Sequence, residues 1–282
     1  MSDLLVTPQW LRTALARDDI KVVDASWYLP AQNRDAKAEF AAGHIPGAVH
    51  FDIDAIADQK TDLPHMLPDA AAFAKAAGAL GLSDIDTIII YDGLGLFSAP
   101  RVWWTLRVFG AKDVRLLSGG FQAWLRAGLP TEAGWPDPAP AQFDARFDPN
   151  ATVDFATVLA LLNDNAATIV DARPAARFAG AAPEPRPGLR PGHMPGSRNV
   201  PFDRLLNENG ELANGQTIRA VFAEAGVDLG RPLVTTCGSG VTAAVLSFAL
   251  AVIGKTDVRL FDGSWAEWGA RPGAPIDATV EK

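Results

Sequence analysis

The chain contains an internal repeat, and this repeat limits its possible folds more than any other feature. Gly43-His-Ile-Pro-Gly47 recurs as Gly192-His-Met-Pro-Gly196, and Asp113-Val-Arg-Leu-Leu117 recurs as Asp257-Val-Arg-Leu-Phe261. The spacing between matching positions stays between 144 residues, for Asp113 and Asp257, and 151 residues, for Asp52 and Asp203. A repeat of this length predicts two copies of one domain, and 282 residues suffice for two hydrophobic cores.

Strand and helix signals alternate along each half. Short β-branched segments predict buried strands over 20–24, 86–91, 113–117, 168–171, 232–236 and 257–261. Segments rich in good helix formers predict helices over 69–80 and 242–253, and a further helix with two tryptophans is predicted over 99–109. Thr7 and Pro8 have the residue types that begin a helix. This alternation predicts an α/β fold in each half, with a mostly parallel sheet flanked by helices.

A proline-rich stretch separates the two halves. Residues 130–149 contain five prolines and few apolar clusters, as an ordered but extended linker would. We therefore expect an N-terminal domain over 1–130, a linker over 131–151 and a C-terminal domain over 152–282.

Composition excludes several classes of function. The net charge of −8 disfavours nucleic acid and anionic membranes as partners. The four histidines are scattered and there is one cysteine, so we expect no metal site, no disulfide framework and no cofactor. The N-terminus lacks a signal-peptide pattern, and no run of 18 apolar residues occurs. We therefore expect a cytoplasmic protein whose thiol stays reduced.

The only cysteine, Cys237, lies at the most informative position in the sequence. A predicted strand precedes it, and a loop with Gly238 and Gly240 leads from it into a predicted helix. Such a loop can turn successive backbone N–H groups towards one point, where the helix N-terminus adds positive potential. This arrangement favours the thiolate, which is the nucleophilic form of cysteine. We expect the thiol to be open to a substrate.

Features present in only one half are candidates for function, whereas duplication indicates a structural role. Cys237 aligns with Asp92, which we interpret as a capping residue in a degenerate site. Glu39 aligns with Arg177, a reversal of charge. Asp54 and His65 have no counterpart in the second half.

The second half also carries a proline-rich insert over 180–191, which presents Arg186 and Arg190. We interpret Arg190 as a solvated surface charge. The duplicated His44 and His193 are expected to be structural hydrogen-bonding residues. Four tryptophans are expected to pack in a core or an interface: Trp103, Trp104, Trp265 and Trp268.

A cysteine in an amide cradle suits two chemistries. Phosphoryl transfer through a cysteinyl phosphate uses a Cys-x5-Arg loop, but the sixth residue after Cys237 is Ala243. Sulfur transfer needs only that the thiolate attack a sulfur atom and retain it as a persulfide. The missing arginine favours sulfur transfer.

The motifs of the whole chain resemble the two-domain rhodanese family, in particular the sulfurtransferases that use 3-mercaptopyruvate. The resemblance is carried by Asp24-Ala-Ser-Trp-Tyr-Leu-Pro30, the two Gly-His-x-Pro-Gly turns, Phe51-Asp-Ile-Asp54, His65-Met-Leu-Pro68, Ser98-Ala-Pro-Arg-Val-Trp-Trp104, Pro183-Glu-Pro-Arg186, Cys237-Gly-Ser-Gly-Val-Thr-Ala243 and Asp262-Gly-Ser-Trp-Ala-Glu-Trp268. It implies two tandem rhodanese-like domains, of which only the second is catalytic. Thiosulfate-preferring relatives carry basic residues directly after the cysteine, whereas Gly238 and Ser239 are neutral.

The resemblance also implies roles for individual residues. Cys237 would accept sulfur, while Arg177 and Arg186 would hold the carboxylate and keto oxygen of the sulfur donor. The persulfide would lie against the amides of the loop, to which these residues belong: Gly238, Ser239, Gly240, Val241 and Thr242.

A Ser239–His65–Asp54 relay would handle the proton of the donor thiol. Because His65 and Asp54 come from the first half of the chain, the resemblance implies a site in the cleft between the domains.

The function implied is transfer of sulfur from 3-mercaptopyruvate, with release of pyruvate, to thioredoxin, a small thiol or cyanide. Two alternatives stay open at this point. The sulfur donor could be thiosulfate, or the protein could be a non-enzymatic persulfide carrier that docks to a partner.

Overall fold

The computed structural model describes residues 3–278, which form two compact units. The first unit contains residues 3–59, 67–148 and 206–212, and the second contains 60–66, 149–205 and 213–278. Residues 131–148, predicted to be a linker, thus group with the first unit. The domain boundaries at 130 and 151 remain predictions.

The first unit is built on a five-stranded sheet in the order β1-β5-β4-β2-β3, and every pair of neighbouring strands is parallel. Val22 at its centre pairs with Ala48 on one side and Ile89 on the other. The strands are β1 Leu5–Val6, β2 Ile20–Asp24, β3 Ala48–His50, β4 Thr87–Tyr91 and β5 Asp113–Leu117. The helices are α1 Pro8–Ala14, α2 Ala36–Ala42, α3 Ala70–Ala79, α4 Ala99–Val108 and α5 Gly120–Arg126, with a 3₁₀ turn over Pro30–Gln32.

The second unit repeats this architecture with the strand order β6-β10-β9-β7-β8, again wholly parallel. Its strands are β6 Thr152–Val153, β7 Thr168–Asp171, β8 Arg198–Asn199, β9 Leu233–Thr236 and β10 Val258–Phe261. Its helices are α6 Phe155–Asn163, α7 Ala175–Phe178, α8 Gly215–Glu224, α9 Ala243–Val252 and α10 Ser264–Trp268, with a 3₁₀ turn over Phe202–Leu205. The α/β fold predicted from the repeat is therefore confirmed in both copies.

Several helices begin at a polar side chain that accepts a hydrogen bond from the first turn. Thr7 accepts from the backbone N–H of Trp10, and Pro8 occupies the first helical position of α1, as predicted. Asp69 caps α3, Asp154 caps α6 and Asn214 caps α8 in the same way. Each cap satisfies an N–H group that has no partner inside its own helix.

Each unit has its own hydrophobic core, because strands of a parallel sheet are covered by helices on both faces. Ile89 and Trp124 are fully buried in the first unit, and Val234 and Trp265 in the second. The four tryptophans that were predicted to pack inside are all buried: Trp103, Trp104, Trp265 and Trp268. Across residues 3–278, no helix combines the length and apolar character needed to cross a membrane.

The proline-rich segment packs along the first unit through its backbone. The N–H of Ala141 donates to the carbonyl of Gly78 at 2.9 Å, and that of Arg146 donates to Phe109 at 2.9 Å. Phe143 is buried and meets the ring of Phe73 edge-on, with 5.3 Å between the centroids. These contacts explain why residues 131–148 group with the first unit.

Candidate functional site

Cys237 directly follows strand β9, at the carboxyl edge of the second sheet. Thr236, the last residue of β9, pairs with Asp171, the last residue of β7. In the sheet order β6-β10-β9-β7-β8, the chain continues from β7 to β8 on one side and from β9 to β10 on the other. The carboxyl ends of β7 and β9 therefore form a topological switch point. Parallel α/β sheets bind ligands at such a point. The fold therefore places the cysteine and the residues that follow Asp171 together at the edge where a site is expected.

The loop after Cys237 leaves several backbone N–H groups without an acceptor. Gly240 has a φ of 81°, in the left-handed region that glycine adopts at little cost. Among the described residues, none accepts from the N–H groups of Gly238, Ser239, Val241 and Thr242. The ten-residue helix α9 begins immediately afterwards. The loop can therefore donate several hydrogen bonds to an anion at the positive end of this helix.

The corresponding loop of the first unit holds such an anion. Asp92, the counterpart of Cys237, is 1% exposed, and its carboxylate accepts four backbone hydrogen bonds. Their N–H donors, all 2.8–2.9 Å from the oxygens, belong to Leu94, Phe97, Ser98 and Ala99. This confirms the interpretation of Asp92 as a capping residue. It also demonstrates that a loop of this kind binds a negative charge when the side chain supplies one.

Cys237 is only 2% exposed, so the expectation of an open thiol is wrong for the structure described. The first turn of α10 binds the main chain of the cysteine. Cys237 N–H donates to Ser264 Oγ at 3.3 Å, and Cys237 C=O accepts from the N–H of Trp265 at 2.9 Å. Ser264 has a left-handed φ of 49°, which is uncommon for a residue with a side chain. Sequence reasoning missed this residue.

Arg177 lies beside the loop and not in bulk solvent. A Cβ atom on Gly238 would lie 3.1 Å from Arg177 Nη2, so the lack of a side chain there makes room for the guanidinium group. The side chain of Arg177 is 20% exposed. Its Nε is buried and has no hydrogen-bond partner among the described residues. A buried donor of positive charge next to a row of unpaired amides suits an anionic ligand.

Two further charged residues, Arg173 and Glu184, connect Arg177 to the sheet. Glu184 accepts from Arg177 Nη2 at 2.5 Å and from Arg173 Nη1 at 2.8 Å. Arg173 also binds both carboxylate oxygens of Asp171. Burial lowers the pKa of Arg173, but Asp171 and Glu184 outweigh this effect and raise it above its ordinary value. Sequence analysis assigned no role to Arg173 or Glu184. The signal for Arg173 was the pattern Asp-x-Arg directly after a strand.

The two arginines of the insert differ in environment. Arg190 donates to backbone carbonyls after α10: those of Trp268, Gly269, Arg271 and Ala274. The interpretation of Arg190 as a solvated charge is therefore wrong, because it satisfies carbonyls that a helix end leaves unpaired. Arg186 is half-buried, two residues after Glu184. Its role in binding the substrate stays a prediction.

His65 folds with the second unit although it comes from the first half of the sequence. It is 5% exposed, and its Nδ1 lies 3.2 Å from the backbone carbonyl of Ser239. Its φ of 64° is unusual for histidine, and such strain persists only where the surroundings impose it. The hydroxyl of Ser239 has no hydrogen-bond partner among the described residues. Asp54 lies in the first unit, where it accepts from Trp27 Nε1 at 2.9 Å. The Ser239–His65–Asp54 relay stays a prediction.

The duplicated histidines have structural contacts, as predicted. His44 Nδ1 lies 2.8 Å from the carbonyl of Phe40, and its ring stacks on the Phe40 ring. His193 repeats both contacts with Phe178. Within residues 3–278, no group of histidine, cysteine and acidic side chains could hold a metal ion.

Comparison with known proteins gives one consistent result. A rhodanese-like domain matches residues 7–127 and again residues 154–271. The chain is 47% identical over 273 residues to the 3-mercaptopyruvate sulfurtransferase of Rattus norvegicus, covering 95% of this chain and 92% of that protein. It is 45% identical over 273 residues to the protein of the same name from Escherichia coli, covering 96% and 97%.

A solved structure agrees. The crystal structure of SseA from Escherichia coli, described with the rhodanese fold of 3-mercaptopyruvate sulfotransferases, is similar with a TM-score of 0.87. The sequences are 43% identical in this comparison, which covers 93% of this chain and 98% of that one. Fold, strand order, duplicated turns and relatives agree, and this chain therefore belongs to the two-domain rhodanese family of sulfurtransferases.

Proposed function

We propose that this protein is a 3-mercaptopyruvate sulfurtransferase in which Cys237 carries the sulfur atom as a persulfide. The observation that carries the proposal is the amide-lined loop after Cys237, whose counterpart in the first unit already binds the carboxylate of Asp92. A persulfide anion places negative charge one bond beyond the cysteine sulfur, where those amides can stabilise it. The relatives named above have the same activity in their names.

In the first half-reaction, the Cys237 thiolate attacks the sulfur atom of 3-mercaptopyruvate. The new bond joins the two sulfur atoms, and the carbon–sulfur bond of the sulfur donor breaks. Its electron pair leaves on the enolate of pyruvate, which takes up the proton that the donor thiol gives up. The products are pyruvate and a Cys237 persulfide anion. No external oxidant or reductant is needed, because sulfur and proton both come from the sulfur donor.

In the second half-reaction, an external acceptor removes the outer sulfur atom. A thiol attacks that atom, the sulfur–sulfur bond breaks and the Cys237 thiolate returns; cyanide would leave as thiocyanate. Because Cys237 is the only cysteine, the chain cannot release its sulfur by forming an internal disulfide. We propose thioredoxin or a small thiol as the acceptor. A reducing compartment such as the cytoplasm would supply such thiols.

The charges around the loop support a role in binding the keto acid. Arg177 lies at Gly238 and would bind the carboxylate of the sulfur donor, with Arg186 at the keto oxygen. The proposed relay of Ser239, His65 and Asp54 would carry the proton from the donor thiol towards the enolate carbon.

Thiosulfate is the second candidate sulfur donor, because the chain is also 41% identical over 270 residues to a thiosulfate sulfurtransferase of Gallus gallus. Thiosulfate is a dianion, whereas mercaptopyruvate carries one carboxylate charge. Gly238 and Ser239 add no positive charge to the loop, which favours the monoanion. A larger kcat/KM for 3-mercaptopyruvate than for thiosulfate is expected, and the reverse ratio would assign thiosulfate as the substrate.

The proposal predicts one chemically defined intermediate. Incubation with 3-mercaptopyruvate should raise the intact mass by one sulfur atom, and a reductant should remove the gain. Cys237→Ser should show no gain and no pyruvate release while keeping the unfolding temperature of the wild type. Retained turnover in that variant would disprove the assignment. Sulfur loading without repeated turnover in excess small thiol would instead indicate a persulfide carrier.

A further inference from the structure

The proposed reaction gives Glu184 no role. It lies in the insert that only the second half of the sequence contains, and its side chain is 2% exposed. One carboxylate oxygen accepts from Arg173 and the other from Arg177. A buried carboxylate is stable only when it is paired, and Glu184 is paired on both oxygens.

Arg173 is the fixed end of this connection. Its side chain is completely buried, and its Nε and Nη2 bind the carboxylate of Asp171 at the end of β7. Nη2 also donates to the carbonyl of Gly192 at 2.9 Å. Its guanidinium carbon lies 4.1 Å from the centroid of the Trp265 ring. With this many partners, Arg173 has one position relative to the sheet.

Arg177 is the end that faces the loop. It forms an ion pair with Glu184, and its guanidinium group lies against Gly238. A free arginine side chain samples many rotamers, and ordering it for a ligand costs conformational entropy. An arginine that is already held at the loop avoids most of this cost when the substrate binds.

We propose that Glu184 is a positioning residue: it ties Arg177 to the immobile Arg173 and so holds the guanidinium group at Gly238, ready for the carboxylate of the keto acid. This inference rests on the function proposed above. The four side chains Asp171, Arg173, Glu184 and Arg177 carry two negative and two positive charges, so the free site is balanced. Arg177 then offers its remaining donors, including the buried Nε, to the substrate.

The test uses Glu184→Gln, which keeps the size of the side chain but removes its charge. Because binding is affected and the cysteine is not, KM for 3-mercaptopyruvate should rise about tenfold while kcat at saturating sulfur donor changes less than about threefold. Glu224→Gln is the matched control, since Glu224 forms an exposed ion pair with Arg204 in the same unit. It should leave both constants unchanged.

A double-mutant cycle distinguishes positioning from general stability. If Glu184 acts through Arg177, Glu184→Gln should raise KM much less in a protein that already carries Arg177→Ala. Additive effects, or a wild-type KM in Glu184→Gln, would overturn the proposal. If Glu184→Gln does not fold, Glu184→Asp serves instead: the shorter carboxylate cannot span both arginines, so KM should still rise. Pyruvate release by the wild type tests the proposed function separately, because it does not depend on Glu184.

Discussion

One position in the repeat separates the catalytic unit from its inactive copy. In the first unit the residue after β4 is Asp92, and in the second unit the residue after β9 is Cys237. Both precede a glycine-containing turn with positive φ, at Gly95 and at Gly240. The carboxylate of Asp92 occupies its amides permanently. A cysteine leaves the amides available until a second sulfur atom arrives, so the side chain at this position decides whether the loop holds a structural cap or a nucleophile.

The same comparison predicts the effect of removing Asp92. In Asp92→Ala, four N–H groups, three of them buried, lose their acceptor, which should lower the free energy of unfolding by about 3 kcal/mol or more. Urea denaturation measures this loss. Asp137→Ala, at an exposed position of the same unit, should change stability by less than about 0.5 kcal/mol. An equally small loss for Asp92→Ala would show that the amides find other partners, and the proposed analogy with the persulfide would be weakened.

Strands and helices are predicted correctly where a short stretch of sequence has the composition typical of that element. Strands β2, β4, β7 and β9 are short β-branched segments buried on both faces, so composition alone marks them. Helix α7 was not predicted, because four residues are too few to show a helical period. Yet α7 carries Arg177. The element that places a substrate-binding candidate at the loop is therefore one that periodicity cannot detect.

Helix α6 gives a test at the level of one element. Asp154 begins it and accepts from the N–H of Thr157 at 2.8 Å. Hydrogen bonds from the side chain of Thr157 and from its backbone N–H lower the pKa of this carboxyl below its ordinary value of 3.8. Asp154→Ala should reduce the free energy of unfolding by about 1 kcal/mol at pH 7. Since the folded state holds the ionised form, the contribution of Asp154 is present above pH 3.8 and is lost as the pH falls through the lower, folded pKa.

Urea titrations of wild type and Asp154→Ala at pH 7 and near pH 3 measure this difference. The two curves should converge at the lower pH. Asp154→Asn is the control, because asparagine also caps helices and should show a smaller difference that does not depend on pH. A stability difference that stays constant with pH in Asp154→Ala would contradict the assignment of the cap to the ionised form.

At the scale of the whole molecule, the two units have the same fold, but only the second contains a cysteine nucleophile. The chain has a single cysteine in 282 residues, so each molecule can store one sulfur atom. The first unit has the same sheet order but an acidic residue in the corresponding loop. Its contribution to turnover cannot include a second covalent intermediate.

This stoichiometry predicts a burst. Without an added acceptor, the enzyme should release about one pyruvate per chain in a fast burst and then slow down, because the persulfide blocks further attack until the thiol of a second 3-mercaptopyruvate removes the outer sulfur. Adding a small thiol should restore fast turnover. Rapid mixing with a coupled pyruvate assay measures the amplitude, and Cys237→Ser should give none. A fast phase with an amplitude well above one per chain would mean that more than one sulfur atom is taken up per chain, which this mechanism does not allow.

The sequence by itself determined the duplication, the α/β class of both copies and the position of the nucleophile. These follow from signals that are local, such as β-branched strands, or that recur at a fixed spacing. The family motifs also predict a substrate-binding role for Arg177.

Only the tertiary structure decided three other features. It buries Cys237, brings His65 to the backbone of Ser239 across 174 residues of sequence, and links Arg173 to Arg177 through Glu184. Each depends on side chains or segments that meet only after the sheet has formed. Their spacing along the chain carries no periodic or compositional signal, so the packing of the folded unit must supply the information.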